Sequence, residues 1–213
     1  MEPDHTAELE DLVLRFPEVQ ILCTAMAKTM IGQFFGHAYD DRIHVCKEGD
    51  TLCTGRHTLQ FVMAPMVHWP EVMMTYDRTD KLLLSADAFG CFGTLDGGIT
   101  DSQLNTDKYW SEMVRYYSNI VGKYGSPVQK ALQKLGGLHI TTICSTHGPV
   151  WTDNISKVIG IYDKLSRYAA DEGVVIAYGS MYGHTEQMAE AIAAELSAQG
   201  IKNIVMHNVS KSN

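Results

Sequence analysis

The chain has 213 residues, of which 45% are hydrophobic and 20% charged, with a formal net charge of −8. That balance is the composition of an ordinary globular protein and excludes extended disorder. It also argues against nucleic acid as a partner, because phosphate binding needs clustered Lys and Arg.

The length allows one large domain, or one domain and part of another. No apolar run approaches the ~20 residues of a membrane span. The acidic start (Glu2, Asp4, Glu8, Glu10, Asp11) lacks the basic region of a signal peptide. Cys23, Cys46, Cys53, Cys91 and Cys144 are scattered, odd in number and form no Cys-x-x-Cys pair. They fit reduced thiols in a cytoplasmic protein better than a disulfide framework, and support no cysteine-ligated metal.

In chain order, the first half reads as short strands. Residues 19–24 form an apolar run suited to a buried strand. Residues 42–46 and 58–63 alternate with period two, with Gly49-Asp50 and Gly55 as turn signals. Residues 81–85 form another apolar strand, ending at Ala86-Asp87. Residues 107–122 and 127–135 read as helices, the second closed by Gly136-Gly137. A strand at 140–144 runs into Ser145-Thr146-His147-Gly148-Pro149, and an amphipathic helix follows at 155–168. The last stretch reads as one βαβ unit: a strand at 174–177, a Gly-containing loop, a helix at about 185–199 and a strand at 201–206.

Metal-ligand residue types stand close together at the start: Glu2, Asp4 and His5 occupy four positions. On an extended segment Glu2 and Asp4 point to one side and His5 to the other, within reach of a second ion. Further candidates sit at junctions between strands and loops: His68 before Trp69-Pro70, Asp87 after Ser85-Ala86, and His147 before Gly148-Pro149. Taken singly, each has a plainer reading: a solvated acidic terminus, a core histidine, a residue that orders a turn. Together they supply nitrogen and oxygen ligands without sulfur, which suits Fe, Mn or Zn, and a carboxylate such as Asp87 is able to bridge two ions. His37, His44, His57, His139 and His207 are expected to be surface or hydrogen-bonded core residues, Cys91 a small buried side chain, and the eleven methionines core filler.

As a set, Glu2, Asp4, His5, His68, Asp87 and His147 resemble the ligands of the metallo-β-lactamase-like domain of flavodiiron proteins, whose site opens with His-x-Glu-x-Asp-His. Residues 48–52 and 56–61 are also similar to that family's hairpin. The resemblance implies an α/β fold: an αββα sandwich over 1–152, a connecting helix and linker over 153–172, and the first βαβ unit of a flavodoxin-like, doubly wound FMN domain over 173–213. It implies one metal served by Asp4, His5, Asp87 and His147, and another by Glu2, His68 and Asp87. The family's first histidine falls immediately before Met1, so the chain is expected to be truncated at both ends. As it stands, it is expected to bind iron weakly and asymmetrically, with little activity.

Hydrolases of the superfamily usually carry His-x-His-x-Asp-His, whereas Glu2 stands at the central position here. Three carboxylates around two metals stabilise higher oxidation states, which suits iron; zinc has no redox chemistry.

Ile176, Tyr178, Ser180, Gly183, Thr185, Ala189 and Ile192 match the flavodoxin phosphate-loop pattern. The loop Ser180-Met181-Tyr182-Gly183-His184-Thr185 offers hydroxyls and successive N–H groups at a helix N-terminus, and Gly183 permits close approach. It contains no Lys or Arg, which suits a flavin monophosphate.

The family resemblance implies electron flow from FMN to two Fe, with O2 reduced to water or NO to nitrous oxide. Rubredoxin or a similar carrier would be the donor, and the subunits would form a head-to-tail homodimer. Two alternatives are a dinuclear zinc hydrolase with a flavodoxin-like appendage, and an electron carrier that has lost its metals.

Overall fold

The computed structural model describes residues 1–36 and 39–211; His37 lies outside them. The chain divides into two compact units between Ala169 and Ala170.

The first unit holds two sheets. A small one pairs β1 (Ile21–Cys23) in parallel with β2 (Ile43–Val45), linked by α3 (Ala25–Phe35). The larger sheet has the order β3-β4-β5-β6-β7. In it β3 (Thr51–Cys53), β4 (Thr58–Met63), β5 (Met73–Asp77) and β6 (Leu82–Leu84) pair antiparallel, and β6 pairs in parallel with β7 (Thr142–Cys144). The hairpin read from residues 48–61 is β3–β4.

The first half is not all strands. α1 (Pro3–Thr6) and α2 (Leu9–Arg15) precede β1, and α3 follows it. α3 carries both end signals of a helix. The Thr24 hydroxyl accepts the Ala27 N–H at 3.1 Å, and Gly36 closes the helix at φ 74°. The extended geometry expected at the N-terminus is likewise replaced by a helical turn. Pro3 fits the first helical position, and the Glu2 carbonyl accepts the N–H groups of His5 and Thr6.

α4 (Asp107–Tyr116) passes into a π-helical turn at Tyr117–Val121 before α5 (Gly125–Leu135). Two consecutive tyrosines, Tyr116 and Tyr117, are thereby both buried. α6 (Ile155–Ser166) packs into the core of this unit with Val158 and Tyr162 fully buried. Each such side chain contributes about 1.5–3 kcal/mol of burial. The helix expected to connect two domains is therefore part of the first one.

The core around α6 has a polar clamp. Asp101 is only 3% exposed. Its carboxylate accepts the Thr152 hydroxyl, the Asn154 side-chain amide and the N–H groups of Thr152, Asp153 and Asn154. These bonds fix the segment that leads into α6, at whose N-cap Asn154 no side-chain capping bond is made.

In the second unit, β8 (Val174–Tyr178) and β9 (Ile204–Asn208) are parallel, joined by α7 (His184–Ala198). Tyr178, on the inner side, donates its hydroxyl to Glu186 of α7 at 3.1 Å. Val175 and Val205 face out from the sheet and are exposed. Among the described residues, no helix is long and apolar enough to cross a membrane.

The Asp101 clamp generates a prediction. Burial raises the pKa of its carboxyl, and the donors of Thr152, Asn154 and Asp153 outweigh that effect, leaving it at about 2. A folded value below the unfolded one stabilises the protein above the unfolded pKa of about 4, and this stability is lost as pH falls through the folded value. Asp101→Asn should cost about 2 kcal/mol at neutral pH and flatten the acid limb of stability between about pH 4 and 2. Urea unfolding of both proteins across that window checks it.

Candidate metal centre

Four separate segments bring the six sequence-identified ligands together. β6 and β7 run in parallel with Leu84 opposite Cys144, so Asp87 and His147 each stand three residues beyond a paired position. Side chains there converge above the carboxyl ends of neighbouring strands. Ser85 secures the junction: its hydroxyl donates to the Ala88 carbonyl at 2.7 Å, and its N–H to the Cys144 carbonyl. His68 comes from the loop between β4 and β5. The α1 turn supplies Glu2, Asp4 and His5.

Asp87 is buried at the centre, and its two oxygens face different partners. Oδ2 is 3.1 Å from His68 Nε2, which is 3.2 Å from Glu2 Oε2. Oδ1 is 3.0 Å from His5 Nε2 and 3.6 Å from His147 Nε2, and Asp4 Oδ2 lies 3.6 Å from both of those nitrogens. Ligand atoms about 2.1 Å from one ion and roughly a right angle or slightly more apart lie about 3.0–3.4 Å from one another. The His5–Asp87, His68–Asp87 and His68–Glu2 separations fall in that range and the 3.6 Å ones lie just beyond it, so the donor set could hold two cations about Asp87. The helical turn at Pro3–Thr6, rather than an extended alternation, turns Glu2 toward His68 and directs Asp4 and His5 toward His147.

The electrostatics agree with that fit. Burial raises the pKa of the Glu2 carboxyl, as do its hydrogen bond to Asp87 and that residue's charge. Burial also acts to raise that of Asp87, but the hydrogen bonds from Thr146 and Glu2 and the nearby His5 and His147 hold it below the usual range. Two carboxylates in contact cannot both ionise without a compensating positive charge, and a bound cation supplies one.

Sequence reasoning assigned no role to Thr146, whose hydroxyl donates to Asp87 Oδ1; its place beside His147 was the only signal. Ala86 and Phe89, flanking Asp87, and Met66, near His68, all have positive φ, a strain that the surrounding packing maintains. Gly148 is also at positive φ, 85°, and a Cβ there would come within 2.4 Å of Cys91 Sγ. Cys91 is thus the buried floor beneath the His147 loop, its thiol pushed up to about 12 by burial and then by the charge of Glu112. Tyr116 packs its ring 5.6 Å from that of His147. A third group, His57, Asp77 and Asp80, lies at the opposite end of the sheet. There Asp77 accepts the N–H groups of Thr79 and Asp80 and closes the β5–β6 turn.

In the second unit, Gly183 at φ 88° precedes α7, and its N–H donates to Ser180 Oγ at 3.0 Å. Met181 and Tyr182 are largely exposed. Ser210, which the sequence did not single out, donates to the Ser180 carbonyl at 3.2 Å. Lys211 also lines the hollow beside Ser180, and its Nζ is 3.7 Å from Glu186. A helix N-terminus with serine and threonine hydroxyls and a nearby lysine is a donor set that fits a phosphate.

Residues 1–148 match the family model described as ODP family beta lactamase, and residues 176–213 match the flavodoxin model. The anaerobic nitric oxide reductase flavorubredoxin of Shigella dysenteriae is 32% identical over 99% of this chain and 47% of its own length. The chain thus spans about half the length of the curated relatives it matches. Among solved structures, the rubredoxin oxygen:oxidoreductase of Desulfovibrio gigas superimposes with a TM-score of 0.86 at 27% identity, covering 95% of this chain and 51% of that one. The flavodiiron protein of Giardia intestinalis does so with 0.87 at 26%, covering 97% and 50%. With a candidate ligand set centred on Asp87, a metallo-β-lactamase-like unit and a flavodoxin-type unit later in the sequence, the chain belongs to the ODP beta-lactamase family in its flavodiiron form.

Proposed function

We propose that this chain belongs to a flavodiiron oxidoreductase that reduces dioxygen to water, nitric oxide to nitrous oxide, or both. The observation that carries the reading is the division of Asp87, with Oδ1 facing His5 and His147 and Oδ2 facing His68. Glu2, Asp4 and Asp87 favour iron, because three carboxylates stabilise the ferric state that zinc lacks. Bound iron would supply the one-electron chemistry that neither gas finds in protein side chains. Asp87 would hold the ions from its central position, Thr146 orients its carboxylate, and the buried floor of Cys91 and Tyr116 keeps the His147 loop in place. The loop Ser180, Met181, Tyr182, Gly183, His184 and Thr185 would hold the FMN phosphate. Electrons would enter from rubredoxin or a similar carrier. In the whole protein, FMN of one subunit would face the metals of the other in a head-to-tail homodimer.

Titrated anaerobically with ferrous iron, the chain should take up a magnetically coupled pair, seen by electron paramagnetic resonance after partial oxidation. The ion at Asp4, His5 and His147 should bind more tightly. Asp87→Asn should weaken both ions by roughly tenfold or more, whereas His68→Ala and His147→Ala should each weaken a different one. Uncoupled iron, or loss of the same ion in both histidine variants, would overturn the two-metal reading.

For the flavin, Ser180→Ala should lower FMN affinity about tenfold, the value of one hydrogen bond to a charged group, and leave riboflavin binding unchanged. Equal losses for the two would show that the loop does not hold the phosphate. Turnover is tested on the protein purified as its gene encodes it. Loaded with iron and FMN and reduced, it should consume O2 or NO, and consumption of neither gas would overturn the proposal.

A further inference from the structure

Glu71 stands three residues beyond His68 and is only 6% exposed. Its Oε1 accepts the nitrogen of Met1, seventy residues away in sequence and bonded directly to Glu2. Its backbone carbonyl accepts the Thr24 hydroxyl at 3.1 Å, the same hydroxyl that caps α3. One residue thus joins the ligand turn, the His68 loop and the start of α3. Oε2 has no hydrogen-bond partner among the described residues, although Glu71 borders a cavity of about 320 Å3 that also reaches Glu2, His5 and Asp87. A buried carboxylate with one orphaned oxygen is destabilising, and a Leu or Met of similar size would fill the same space without that cost. The carboxylate is therefore explained by what it holds rather than by packing.

We infer that Glu71 is a positioning residue of the metal centre: its carboxylate fastens the Met1–His5 turn to the His68 loop and so sets the Glu2–His68 spacing. The Met1 nitrogen serves as donor either as an amine or as a peptide N–H. The inference rests on the metal-centre reading above, and its test separates the two.

The probe is cobalt(II), whose visible absorption reports coordination without any turnover. Glu71→Leu should weaken cobalt binding by about 10–100-fold and change the absorption bands, whereas Glu71→Gln, whose amide oxygen still accepts the Met1 N–H, should stay within about threefold of the parent with its bands intact. Thermal melting of the metal-free proteins runs in parallel, and Glu71→Met takes the place of Glu71→Leu if the latter does not fold. Parental affinity and spectrum in the Leu or Met variant would overturn the inference alone, as would a Gln variant as weak as either. Failure of the parent chain to bind cobalt at all would overturn the metal-centre reading and the inference with it.

Discussion

The buried carboxylate of Asp87 is the constraint on which the rest of the first unit depends. A side chain with one oxygen toward His68 and the other toward His5 and His147 requires three loops and a helical turn to meet at one point. Such a point is stable only where the strand ends beneath it are rigid. The parallel β6–β7 pair provides that rigidity, with Leu83 and Ile143 fully buried at its centre and Ser85 tying the two strand ends together. Within the cluster, burial and the neighbouring Asp87 raise the Glu2 carboxyl, whereas Thr146, Glu2, His5 and His147 hold the Asp87 carboxyl down against its burial. Folding energy from the core holds these groups together at one point.

Aromatic side chains pack together within that core. Trp151 stacks on Trp110 at 5.3 Å and donates its indole N–H to the Phe89 carbonyl, two residues beyond Asp87. Tyr162 of α6 packs against Phe89 and Tyr117. Tyr116, at the end of α4, faces His147, and Tyr117, which opens the π-helical turn, faces Tyr162. The helices thus support the loop that carries Asp87 as well as covering the sheet.

The second unit uses a different physical device. In its loop a left-handed glycine, Gly183, leads into α7, whose first N–H groups have no intrahelical partner and no side-chain cap at Gly183. Ser180 and Ser210 hold that loop through mutual hydrogen bonds.

The six candidate ligand residues that the structure brings together, the strand-to-loop junctions that carry them, the helix at 155–168 and the strand, loop and helix of the second unit were all legible in the sequence. These features depend on local residue type and period, which neighbours in the chain determine. α3 was legible in principle from Thr24 and Gly36, but the apolar run from Val19 continues into an evenly apolar helix, and period alone does not separate the two. β5 gave little signal because it begins just after the Pro70 turn and mixes polar Thr75 and Asp77 with apolar residues. Other features belong only to the tertiary structure. The turn at Pro3–Thr6 brings Glu2 to His68, Thr146 orients Asp87, and Glu71 meets Met1 across seventy residues. Sequence determines which donors are available; which oxygen faces which nitrogen is decided by long-range packing of loops over rigid strands, because that geometry is shared by segments that do not adjoin in the chain.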